Sequence, residues 1–170
     1  MKAAATGSSG GSTTRTTLGC IGKCTSGLTV EQLDFLTDHV QRTLGHAQGR
    51  KMLAEYLSQG KRDTDLRCLE LYEKCAAYID KERRYRLSTK EPRVEPLEND
   101  VNLALSAAEE LDDVPEINLD LLEKYTDALA NRSSDSMIDV LEETKYCLMN
   151  HLRQAHKGFR AYVMQPCPKS

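Results

Sequence analysis

Six cysteines and four histidines are the side chains of this chain with the widest chemical reach. Cys20 and Cys24 stand in Gly19-Cys20-Ile21-Gly22-Lys23-Cys24, a mildly basic stretch. A zinc site there needs two more ligands. The candidates are His151 and His156, which sit five apart and so on different faces of a helix, a poor pair for one tetrahedral ion. S-acylation is the sharper chemistry: two thiols beside basic residues take two lipid chains, and two chains anchor stably where one does not. An inert tail is the third reading. Cys68, Cys75 and Cys147 lie in apolar helical stretches and read as small core hydrophobes.

The usual catalytic patterns do not occur. Gly19, Gly22 and Gly27 follow no strand, so they are not a phosphate-binding loop. There is no nucleophile elbow, and His39, His46, His151 and His156 form no zinc-protease motif. The acid pairs Glu109-Glu110, Asp112-Asp113 and Glu142-Glu143 fall on helix surfaces or ends and read as solvated charge. The sequence therefore predicts no self-contained active site, no catalytic residue, no metal site and no cofactor. Thr13, Thr14, Thr16 and Thr17 surround Arg15 and offer phosphoacceptors.

Charge narrows the partners. Residues 1–27 hold Lys2, Arg15 and Lys23 and no acid, so the other 143 residues, with 20 basic and 26 acidic side chains, carry a net −6. Nucleic acid is not expected as a partner of such a body, because phosphate binding needs a basic surface. The chain is 39% hydrophobic, too apolar for a disordered polymer, and no apolar run reaches the roughly 18 residues that span a bilayer. Met1 to Gly11 has no apolar stretch of the signal-peptide kind. The expected setting is cytoplasmic with reduced thiols, and peripheral association with the plasma membrane follows if the tail is acylated.

Helices must position whatever site exists. Residues 1–27 are Gly, Ser and Thr rich and read as a disordered tail; 28–165 form the domain; 166–170 close the chain. Leu33, Leu36, Val40 and Leu44 mark one face of a first helix ending near Gly45, and Thr29 with Gln32 resembles a capping box. A second segment runs from Gly49 to Gly60. Asp63 is a plausible N-cap for a third, broad-faced helix through Leu69, Cys75 and Ile79. Residues 83–96 read as the main internal loop. Leu97, Val101, Leu105, Ala108 and Leu111 define a fourth helix, ended by Asp112-Asp113-Val114-Pro115. A fifth carries Leu122, Tyr125 and Leu129, with Asn131 as its C-cap. Ser133, Ser134 or Asp135 caps a sixth that runs to about Gln154, and a seventh spans Lys157 to Met164. No stretch alternates with period two over strand length, so the fold class is all-α with about seven helices.

Three features together resemble a regulator of G-protein signalling (RGS) domain. Gly49-Arg50-Lys51-Met52-Leu53-Ala54-Glu55-Tyr56-Leu57 is similar to the family's G-x-x-x-F-x-x-F-L segment, with Leu53 and Tyr56 in place of the two Phe. The helix from Asp63 to Lys81 follows at the family's spacing. Ile117-Asn118-Leu119-Asp120 matches its V/I-N-L-D motif, and a long amphipathic helix and a short one with Phe159 come after. The likeness covers roughly residues 28–165. It implies an RGS-like helical bundle of up to nine helices in two subdomains. Such domains bind the switch regions of active Gα subunits and speed hydrolysis by holding the Gα's own catalytic groups in place.

Carried over by position, Asn118, Leu119 and Asp120 become the Gα-facing loop. Thr64 and Asp65 stand where the family has a Glu-Asn pair that bonds Gα. Cys68-Leu69 replaces Phe-Trp, and the C-terminal contacts fall on Asn150, Gln154 and Gly158. Read without the family, Asn118 or Asp120 simply caps the helix that follows, Asp63 and Asp65 are cap and first-turn acids, and His151, Gln154 and His156 are exposed. The expected function is a non-enzymatic, RGS-like protein-binding module, an adaptor or atypical regulator in G-protein or membrane-proximal signalling. One alternative is a GTPase activator for a Gα subunit through the Asn118 loop. Another is an all-α scaffold that takes a partner helix or peptide unrelated to G proteins.

Overall fold

Seven helices and no strands make up residues 27–165, which the computed structural model describes: α1 (Val30–Thr37), α2 (Val40–Gly45), α3 (Ala47–Gln59), α4 (Asp63–Ser88), α5 (Glu95–Glu109), α6 (Leu119–Asn131) and α7 (Ser134–Val163). The all-α class follows directly. None of these helices is long and apolar enough to cross a membrane. Cys20, Cys24, the tail threonines and residues 166–170 lie outside the described residues. The helices fall into two compact units. Within the described residues the first is 27–63 with 153–165, and the second is 64–152.

In the first unit the capping box of α1 is present: Gln32 N donates to Thr29 Oγ1 at 3.1 Å, and Thr29 N to Gln32 Oε1 at 2.8 Å. Leu33, Leu36, Val40 and Leu44 are all buried, yet they belong to two helices and not one. The chain opens at His39, which is extended, and restarts when Arg42 N and Thr43 N bond the His39 carbonyl. Hydroxyls occupy the carbonyls at the end of α1: Thr37 donates to Leu33 O at 2.7 Å and Thr43 to Leu36 O at 3.2 Å. The second segment begins at Ala47, two residues before Gly49. Gly49 is needed for packing, because a Cβ there would lie 2.4 Å from the Thr43 carbonyl oxygen. At the far end of α3 the left-handed turn is made by Lys61 (φ 55°), after Gly60, and it lets Arg62 N reach Leu57 O at 2.9 Å.

The C-terminal part of α7 completes that unit. No break separates a sixth helix from a seventh; a single helix of 30 residues runs through Gly158. The glycine serves a close approach, since a Cβ would meet the Tyr56 hydroxyl at 2.6 Å. Tyr56 packs edge-on against Phe159 (centroids 5.6 Å apart) and also against Tyr162. His156 is buried, contrary to expectation, with Nε2 2.7 Å from Thr43 Oγ1. The Thr43 hydrogen is directed at Leu36 O, so the imidazole nitrogen is the donor in that bond. Burial, with Arg160, His39 and Arg153 nearby, pushes the His156 pKa down to about 4.

In the second unit α4 buries Cys68, Leu69, Leu71, Cys75 and Ile79, as its broad apolar face requires, while Cys147 on α7 is only half-buried. The helix does not give way to a loop at residue 83. It continues to Ser88 because its charges are paired along and across helices: Arg86 with Glu82 at 2.8 Å, Arg83 with Glu142 at 2.9 Å, Arg84 with Asp80 at 3.0 Å. The true loop is 89–94. Helix α5 stops at Glu109, short of Leu111, which is buried in the segment beyond. Arg132, and not Asn131, ends α6, in a left-handed conformation (φ 52°), and its guanidinium bonds Glu95 and Glu98 at 2.8 and 2.9 Å. Ser133 caps α7, accepting from Ser136 N at 3.2 Å.

Candidate functional site

The segment 110–118 joins α5 to α6 and is built as two tight turns. Val114 N bonds Leu111 O, and Ile117 N bonds Val114 O at 3.0 Å. Leu111, Val114 and Ile117 point inward and are buried, so the period of three leaves Asp112, Asp113 and Pro115 outside. Pro115 disfavours helix in the residue before it, which keeps the segment from continuing α5.

Asn118 ends this segment as the N-cap of α6. Its side-chain oxygen accepts from Leu121 N at 3.0 Å, and its carbonyl accepts from Leu122 N. The capping role is therefore filled by Asn118, and its amide nitrogen is left open to solvent. Leu119 follows at the first position of the helix and is 70% exposed. Asp120 is exposed in the first turn, where the helix dipole favours an acid, and pairs with Lys124 at 3.3 Å.

Thr64 and Asp65, in the first turn of α4, are tied to the same segment. Thr64 Oγ1 donates to Asp113 Oδ2 at 2.7 Å, and this bond is the main cause that holds the Asp113 carboxyl below the usual range. Asp65 Oδ1 lies 3.1 Å from His151 Nε2, while His151 Nδ1 lies 2.9 Å from Glu116 Oε1. His151 is thus half-buried between two carboxylates, where the sequence led us to expect an exposed side chain. Asp65 is more than a first-turn acid, since it is one end of this bridge. Beneath lies Cys68, whose thiol burial pushes up to about 12, with Asp65, Asp113 and Glu116 adding to the effect.

Thr64, Asp65, Asn118, Leu119 and Asp120 are therefore brought to one region of the second unit. Gln154 is exposed on the part of α7 that belongs to the first unit. Sequence reasoning missed His151, Glu116 and Asp113 as members. The signal was weak: His151 lies 35 residues from Glu116 and 86 from Asp65, and no local motif links them.

A mainly apolar groove of about 520 Å³ lies in the first unit, lined by Leu28, Phe35 and Leu36 with Glu31, Gln32, His46 and Gln48. Phe35 is largely exposed there, with the Arg42 guanidinium 4.1 Å from its ring centre. Among the described residues no group of three or more His, Cys, Asp or Glu is arranged to hold a metal ion. Comparison of the chain with protein-family models, curated proteins and solved structures matched none of them.

Proposed function

We propose that this chain is a non-enzymatic, RGS-like protein-binding module, acting as an adaptor or atypical regulator in G-protein or membrane-proximal signalling. The observation that carries the reading is the α5–α6 segment. Its apolar residues are locked inward, and it presents the open amide of Asn118 beside the exposed side chain of Leu119. A rigid turn offering one apolar knob and one hydrogen-bonding group suits recognition of a protein surface. The same geometry favours an adaptor over a GTPase activator. Thr64 and Asp65 stand where the resemblance calls for groups that bond Gα, and both are engaged within the chain, with Asp113 and His151. Freeing them for a partner would take from Asp113 or His151 a bond made within the chain.

The deciding experiment measures binding of the full chain to several Gα subunits loaded with GDP and aluminium fluoride, beside a single-turnover GTPase assay. Binding without faster hydrolysis, weakened by Leu119→Glu, is the expected result for an adaptor. Faster hydrolysis that Asn118→Ala abolishes would establish the activator instead. Absence of binding to every Gα would move the function to the scaffold reading. The groove at Phe35 favours that second reading, since a helix or peptide with two or three apolar side chains would fill it. Membrane association belongs to the same proposal and rests on Cys20 and Cys24 beside Lys23. The wild-type chain is expected to partition partly into membranes in cells and Cys20→Ser/Cys24→Ser to leave them; equal partitioning of the two would remove acylation from the account.

A further inference from the structure

We infer that His151 is the positioning residue of the Asn118 segment, holding Glu116 of the segment against Asp65 of α4 and so fixing how Asn118 and Leu119 are presented. The inference rests on reading that segment as the partner-facing element.

A carboxylate oxygen only accepts hydrogen bonds. Both ring nitrogens of His151 face one, at 3.1 and 2.9 Å, so a carboxylate answers whichever nitrogen carries hydrogen. The ring stands between the two acids and links them. A third, Asp113, sits close enough to act on the same Cys68 thiol and takes its own bond from Thr64. Besides its buried Leu111, Val114 and Ile117, the segment is thus fastened by side-chain hydrogen bonds at two points three residues apart, Asp113 and Glu116, and Pro115 lies between them. Both fasteners come from other helices: Thr64 from α4, His151 from α7. Nothing else among its backbone bonds ties the segment to α4 or α7, since these run within the segment and to the ends of α5 and α6. Take away the ring's donors and the link between Asp65 and Glu116 is lost. The two turns would then drift from α4, carrying Asn118 and Leu119 with them.

The test is amide hydrogen exchange on the full chain for wild type, His151→Phe and His151→Arg. Phenylalanine keeps a flat ring but donates nothing. Arginine restores two donors in a planar fork. In His151→Phe, exchange over residues 112–121 is expected to rise about tenfold or more, the effect of losing charge-assisted hydrogen bonds, beyond any rise in the amides of α5. His151→Arg is expected to bring it back toward wild type, and Glu116→Gln combined with His151→Phe to add little to either change alone. Unchanged exchange over the segment in His151→Phe would overturn the inference. So would a rise shared equally by α5, which would mean that the ring matters only to overall stability. Neither readout needs a partner, so an absence of Gα binding leaves this result interpretable. Where a Gα does bind, His151→Phe should weaken it and His151→Arg should restore it.

Discussion

Asn118 carries two groups with separable duties. The side-chain oxygen caps α6, and the amide nitrogen faces outward. Alanine removes both, at about 1 kcal/mol of stability for the lost cap. Serine can accept from the same backbone N–H and lacks the amide. Urea unfolding should therefore show Asn118→Ala below wild type and Asn118→Ser close to it, while any partner that reads the amide loses affinity for both. A partner that binds Asn118→Ser as well as wild type would reduce Asn118 to its cap. The pair also keeps a folding defect from passing as a contact, because only the alanine variant is expected to lose stability.

Helices α6 and α7 are joined by a buried polar pair whose directions can be worked out. Thr144 donates to Val140 O at 2.7 Å, so its oxygen is left to accept from the Tyr125 hydroxyl, also at 2.7 Å. Thr144→Val keeps the shape and takes from the buried Tyr125 hydroxyl its oxygen acceptor, leaving it only the Cys75 thiol, which costs about 1 kcal/mol. Tyr125→Phe leaves Thr144 its bond to Val140 and should cost less. In the double variant the Tyr125 hydroxyl is removed together with its oxygen acceptor, so it should be more stable than the sum of the singles predicts when unfolding is followed in denaturant. Much at this scale was legible beforehand. The all-α class, the capping box at Thr29, the buried face of α4 and the turn before Asn118 follow from spacing and from residue types with one plausible use. The errors share a cause. A run of apolar positions at 33, 36, 40 and 44 does not reveal a break, because the two short helices keep burying the same residues. The break expected between Gln154 and Lys157 does not occur, since one helix runs through both, and the neighbour that Gly158 admits, Tyr56, lies about a hundred positions away. Arg83 to Arg86 look like a solvated loop until Glu82, Asp135 and Glu142 are seen to receive them. The candidate site was half legible for the same reason: Asn118 to Asp120 form a local motif, whereas the bridge through His151 exists only once the chain has folded.

For the molecule as a whole, His156 links stability to acidity. Its folded pKa of about 4 lies below the ordinary 6.5, so between those values the unfolded chain holds the extra proton. Its contribution to stability is complete above about pH 6.5 and is lost as pH falls toward 4, an effect of roughly 1–3 kcal/mol. Urea midpoints should drop between pH 7.5 and pH 5, and His156→Gln, which can still donate to Thr43, should drop less. Equal drops in the two proteins would exclude His156 as the source. The residues around His156 carry one more consequence. The first unit takes α1, α2 and α3 from one end of the chain and residues 153–165 from the other, so Thr43 meets a partner 113 positions later. On the ribosome α1–α3 emerge early, with Thr43 and Tyr56 lacking their partners His156 and Phe159 until those have been made and have left the exit tunnel. The second unit, continuous from 64 to 152, can close in the meantime. Of the two, the first unit is the one whose completion must wait for residues 153–165.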